Sequence, residues 1–118
     1  MVESANRAII ASKATPLGEA DPPNTIGVYG LFHEGALRYI GHAKGTRGLR
    51  NRLNNYISGD NGHTTHRVFL EEFPDKTVRR RYIEEYVSMA WFVLPDAHAA
   101  QAVERALIWL HVPDWNRD

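Results

Sequence analysis

At 118 residues, 43% hydrophobic and 24% charged, the chain has the length of one domain and an ordinary globular composition, enough to bury roughly two-thirds of its unfolded surface. Its 14 Lys and Arg balance 14 Asp and Glu, which argues against a protein that coats nucleic acid indiscriminately, though a local basic face is compatible. Without cysteine there are no disulfides or thiolate metal sites, as suits a reducing cytoplasm; no apolar run nears the ~20 residues of a membrane span, and the N-terminus lacks an apolar signal core.

Residues 1–24 show no sustained period. Ala8-Ile9-Ile10 suits a short strand or a helical turn, but Pro16, Gly18, Pro22 and Pro23 break anything longer. They read as an arm, partly ordered or packed on the domain, and residues 25–118 read as the domain itself. Ile26, Val28 and Gly30 alternate with Gly27, Tyr29 and Leu31, the period of a strand. Glu34-Gly35 suits a hairpin turn, since Gly accepts positive φ, and Leu37 to Gly41 forms the return strand. Gly45 and Gly48 loosen the chain before Leu49, Leu53 and Ile57 recur at helical spacing, from about Arg47 or Gly48 to Ser58, flanked by Arg50 and Arg52.

The turn-rich residues 58–63 end that helix. Thr64 or Thr65 then caps a second, with Val68, Phe69 and Phe73 as its apolar face and Pro74-Asp75 closing it. Residues 76–86 (KTVRRRYIEEY) carry a helical charge pattern that runs into strand-like sequence, and Arg79-Arg80-Arg81 reads as a solvated run offset by Glu84 and Glu85 or as a strip for a nucleic-acid backbone. Val87 to Leu94 is apolar almost throughout, as a central strand would be. Asp96 can cap the last helix, where Ala99, Val103, Ala106, Leu107 and Leu110 make a stripe for packing on a sheet, until Pro113 stops it. The order β-β-α-α-β-α is that of an α/β (α+β) sandwich: a small, mostly antiparallel three-stranded sheet flanked by helices.

Several side chains admit both a structural and a chemical reading. Glu104 lies beside the apolar stripe, where a carboxylate needs a partner: an arginine of the first helix, or a hard divalent cation that prefers oxygen donors. Arg52 and Tyr56 lie one helical turn apart on one face, a solvated basic face or a phosphate grip. Tyr29 and Tyr39, on adjacent strands, are core aromatics or cross-strand neighbours presenting their hydroxyls together. His63 and His66 stand i, i+3 without a third ligand nearby, which favours capping or substrate contact over metal; Thr64, Thr65 and Arg67 can reach phosphate from the same segment.

Four blocks in order carry a resemblance. Gly27-Val28-Tyr29 followed by Tyr39-Ile40-Gly41 resembles the signature of the GIY-YIG nuclease superfamily. LRNRLNNY (Leu49 to Tyr56) resembles its arginine helix as found in bacterial excision-repair incision nucleases, and VERALIWLHVPDWN (Val103 to Asn116) resembles its acidic helix and the asparagine after it. The resemblance covers roughly residues 25–118 and implies the GIY-YIG fold. It implies a DNA endonuclease hydrolysing phosphodiester bonds with one divalent metal, Mg²⁺ or Mn²⁺, at Glu104. Arg52 then holds the scissile phosphate, the register RNRLNNY favouring it over Arg50; Tyr29 and Tyr39 line the site and orient or activate water; Tyr56 and Asn116 position the site. Tyr29 as general base would need its pKa lowered from about 10.

Lys44 resembles a family lysine just past the second block, whereas His42 stands where several relatives carry lysine. With Arg47, Arg50, His63 and Arg67, Lys44 completes a candidate DNA-binding set. No recognition module accompanies the domain, so specificity is expected from branched or damaged DNA, a homodimer or a targeting partner, in repair or in a mobile element. The alternative is a non-catalytic module on the same scaffold, binding nucleic acid or a protein.

Overall fold

The computed structural model describes residues 1–11, 13–59 and 62–116. In chain order the elements are α1 (Val2–Ile10), β1 (Thr15–Pro16), β2 (Gly27–His33), β3 (Ala36–Ala43), α2 (Gly48–Ser58), α3 (Thr64–Phe69), α4 (Lys76–Tyr86), β4 (Val87–Val93) and α5 (Ala97–His111). They form an α+β fold around one sheet of order β1-β4-β2-β3, antiparallel at every pairing. The sheet has four strands where the sequence suggested three. The addition is β1, an edge pairing of Thr15 and Pro16 with Met89 and Ser88, where a proline's missing N–H is tolerated. β2 and β3 join through Glu34 (φ 54°) and Gly35 (φ 77°), both in the left-handed region that a type I′ hairpin requires.

The period of two in β2 sorts its side chains between two layers. Tyr29 and Leu31 face a core with Leu49, Leu53 and Tyr56 of α2, Phe69 of α3 and Ile83 of α4. Val28, with Ile40 of β3 and Ala90 of β4, faces Ala5 and Ile9 of α1 and Ala100, Val103 and Leu107 of α5. The N-terminal segment therefore contains a nine-residue helix laid on the sheet. Ile9 reaches the sheet over Gly30, where a Cβ would collide with it.

Several local expectations change. Asp75 does not close α3; it caps α4, accepting a hydrogen bond from the Val78 N–H at 3.0 Å. Residues 76–86 are wholly helical. Thr64 and Thr65 lie inside α3 instead of capping it, and the Thr65 hydroxyl donates to the Tyr56 carbonyl, tying α3 to α2. Within the arginine run Arg79 is buried, donating from Nε to His66 Nδ1 at 2.9 Å and from Nη1 to the Phe73 carbonyl at 2.8 Å; Arg80 and Arg81 are exposed. Leu110 falls off the inward stripe of α5 and is exposed, as are Trp109 and Val112. Asp60-Asn61, the centre of the turn cluster, lies outside the described residues.

Candidate active site

Tyr29 of β2, Tyr39 of β3 and Tyr56 of α2 form a triangle between the helix and the sheet, with ring centroids 5.8 to 6.4 Å apart. Register explains the arrangement. Tyr29 pairs with Gly41, not with Tyr39, so the two strand tyrosines are diagonal neighbours on one face. Gly41 has to be glycine for this, because a Cβ there would fall on the Tyr29 hydroxyl. The Tyr29 and Tyr56 hydroxyls share a hydrogen bond of 2.5 Å. Arg52, one turn before Tyr56, donates from Nε to the Tyr29 hydroxyl at 3.3 Å and from Nη2 to the Tyr56 hydroxyl at 3.4 Å, with its guanidinium carbon 5.7 Å from the Tyr56 ring centroid.

Burial decides the protonation of this cluster. Tyr29 is fully enclosed, and desolvation pushes its phenol up to about 12 against the opposing pull of Arg52. Desolvation likewise raises Tyr56 well above its ordinary range. Burial works against the charge of Arg52, but the two phenol oxygens outweigh it and the guanidinium stays charged. The cluster is thus two neutral phenols orienting one cation. Tyr29, expected to activate or orient water, has its hydroxyl enclosed between Tyr56 and Arg52; Tyr39 is the tyrosine that faces the cleft.

That cleft, about 590 Å³ in volume, opens where the end of edge strand β3, the start of α2 and the flank of α5 meet. Tyr39 and Arg52 enter from one face of the sheet, and His42 and Glu104 from the other. Lys44 and Arg47 are exposed on its rim, and Asn51 completes the wall. Gly48 starts α2 with φ 52°, close against the backbone of Thr25, whose carbonyl accepts the Leu49 N–H at 2.9 Å; a side chain at Gly48 would strike that backbone. Glu104 Oε2 and His42 Nδ1 lie 2.9 Å apart, both side chains less than one-fifth exposed. The contact is that of an ion pair whose alignment falls short of a hydrogen bond, and the buried His42 Nδ1 has no hydrogen-bond partner among the described residues.

Asn116 acts on the cleft through the backbone. Its Oδ1 accepts the Ile40 N–H at 2.9 Å and its Nδ2 donates to the Ile40 carbonyl at 2.8 Å, beside Tyr39 on the outer strand. The Trp115 N–H donates to the Arg38 carbonyl at 2.8 Å, so the loop after α5 lies along β3 like a partial further strand. Arg50 turns away from the cleft to pair with Asp21. Arg67 on α3 and His63 at its start lie outside the cleft lining. His66 is buried between the Ile57 carbonyl and Arg79, and desolvation lowers its pKa, as befits a neutral structural histidine.

Sequence reasoning did not single out Asn51. Gly48, Asn51 and Arg52 share one face of α2 at i, i+3 and i+4, which was the available signal.

No family model and no curated protein matches this chain. Among solved structures it is similar to the GIY-YIG N-terminal endonuclease domain of UvrC from Thermotoga maritima bound to its catalytic divalent cation, magnesium: 26% identity, 80% of this chain and 86% of that one covered, TM-score 0.53. Two tyrosine-to-phenylalanine point mutants of that domain, also bound to the divalent cation, match at 25% identity over 81% and 87% of the respective chains, with TM-scores of 0.54 and 0.53.

Proposed function

We propose that this chain, which has the GIY-YIG superfamily fold, is a metal-dependent DNA endonuclease that hydrolyses phosphodiester bonds. The observation that carries the reading is the convergence of Arg52, Tyr39 and Glu104 on one cleft rimmed by Lys44 and Arg47. The similar UvrC domains are bound to a catalytic divalent cation, and Glu104 offers such an ion an anionic oxygen in a polar, water-accessible setting. No group of three or more His, Cys, Asp or Glu suited to a metal occurs among the described residues. That suits Mg²⁺ or Mn²⁺, which retain several waters and need few protein ligands. When bound, the ion supplies Lewis acidity to a phosphoryl oxygen and to the leaving 3′-oxygen.

The chain's own groups do the rest. Lys44 and Arg47 draw the DNA backbone to the rim. Arg52 has two of its five donors directed at phenols, which fixes its plane; the other three serve the charge that grows on the scissile phosphate. Tyr29 and Tyr56 position Arg52, and Tyr39, at the cleft wall, orients the attacking water. Asn116 holds the strand that carries Tyr39. Arg50, His63 and Arg67 lie outside the cleft lining and would meet DNA only beyond it. The substrate is DNA, branched or damaged, and the setting is the cytoplasm, which a chain without cysteine suits. Among the described residues no helix is long and apolar enough to cross a membrane. A homodimer or a targeting partner supplies further specificity.

Supercoiled plasmid and branched oligonucleotides incubated with Mg²⁺, Mn²⁺ or EDTA test the reading. Metal-dependent nicking should vanish in Glu104→Gln with the fold intact. A mutant that nicks at the wild-type rate would overturn it, and binding without cleavage would leave a nucleic-acid-binding module.

A further inference from the structure

Glu104 meets a histidine on its own side of the cleft, at a nitrogen that no hydrogen bond satisfies. His42 Nδ1 and Glu104 Oε2 stand 2.9 Å apart without the alignment of a hydrogen bond, and that nitrogen has no hydrogen-bond partner among the described residues. A buried polar atom left so is costly unless something else engages it. Two donors in adjacent positions around an octahedral ion, each about 2.1 Å from it, stand about 3 Å from one another. We infer that His42 is a second protein ligand of the divalent cation, its Nδ1 and Glu104 Oε2 taking neighbouring positions in one coordination sphere.

The inference rests on the assignment of the metal to Glu104 and adds to it the identity of a nitrogen donor. The topology supplies the approach. His42 pairs with Val28, whose side chain faces the α5 layer, so strand parity sends the imidazole towards α5 and its Glu104. The imidazole ligates in its neutral form, with the proton on Nε2 and the lone pair on Nδ1. A nitrogen donor shifts preference along the first transition row, so this site should favour Mn²⁺ and Co²⁺ over Mg²⁺ more strongly than a carboxylate-and-water site would. A lysine at position 42 would put an ammonium, which has no lone pair, in the same place.

Titration with Mn²⁺, Co²⁺ and Mg²⁺ alone, without DNA, tests this by calorimetry and by pulsed electron paramagnetic resonance of the Mn²⁺ protein. Wild type, His42→Ala, His42→Gln and Glu104→Gln are compared, with circular dichroism to establish that each is folded. The wild type should show imidazole nitrogen modulation of the Mn²⁺ signal. Both His42 variants should lose it and bind Mn²⁺ and Co²⁺ roughly 10- to 100-fold more weakly, with a smaller change for Mg²⁺. Mn²⁺ bound through Glu104 with no nitrogen modulation, or with modulation that survives in both His42 variants, would overturn the second ligand and leave Glu104 as the metal residue. Mn²⁺ binding unchanged in Glu104→Gln would overturn the metal assignment itself, and this inference with it.

Discussion

The Tyr29 hydroxyl is sealed from solvent, and its pKa of about 12 makes the neutral phenol part of what folding stabilises. That stabilisation is complete below the ordinary phenol pKa of about 10 and is lost as pH rises from about 10 to 12, where the unfolded chain holds fewer protons than the folded one. Urea unfolding across this range should show wild-type stability falling with pH and Tyr29→Phe falling less steeply. Equal slopes would remove Tyr29 as the source. Much at this scale follows from periodicity. Strand alternation already puts Tyr29 and Leu31 on one face, and it sends His42 with Ile40 to the other. The exact cross-strand partner of Tyr29 depends on register, which a β-bulge at Leu31/Phe32 shifts without leaving a mark in composition. Arg79 hides in a run of three arginines. Its inward direction is readable only from Ile83 one turn later, and its partner His66 only from the packing of α3 on α4.

Elements with long periodic or capped sequences were legible. α5 is capped by Asp96, whose carboxylate accepts the Ala99 N–H at 2.8 Å, and β4 runs within the apolar stretch expected of it. α1 was not legible, because its buried residues are Ala5 and Ile9, a single helical step with no repeat to detect. The seat for Ile9 is the bare backbone at Gly30, which only the folded sheet brings near. Ile9→Ala should cost about 2–4 kcal/mol in denaturant unfolding, as buried aliphatic truncations do, while leaving Mn²⁺ affinity of the folded protein unchanged. A loss below about 0.5 kcal/mol would mean that α1 contributes little to the core.

For the whole molecule, zero net charge conceals a local imbalance: Lys44, Arg47 and Arg52 share one opening with a single carboxylate, Glu104. DNA binding should therefore weaken with salt, and Lys44→Ala/Arg47→Ala should lower the slope of log K against log salt by up to about 2, roughly 0.9 for each phosphate no longer neutralised. An unchanged slope would mean that other cations grip the backbone. The edges of the sheet bear on the molecule in another way. An outer strand is a template on which a second molecule can add its own, the start of aggregation. At one end β1 is two residues long and includes Pro16. At the other, Trp115 and Asn116 occupy outward backbone groups of Arg38 and Ile40. The amide that steadies the cleft wall thus also denies the sheet a surface for polymer growth, so resistance to aggregation and the shape of the cleft are bound to the same few hydrogen bonds.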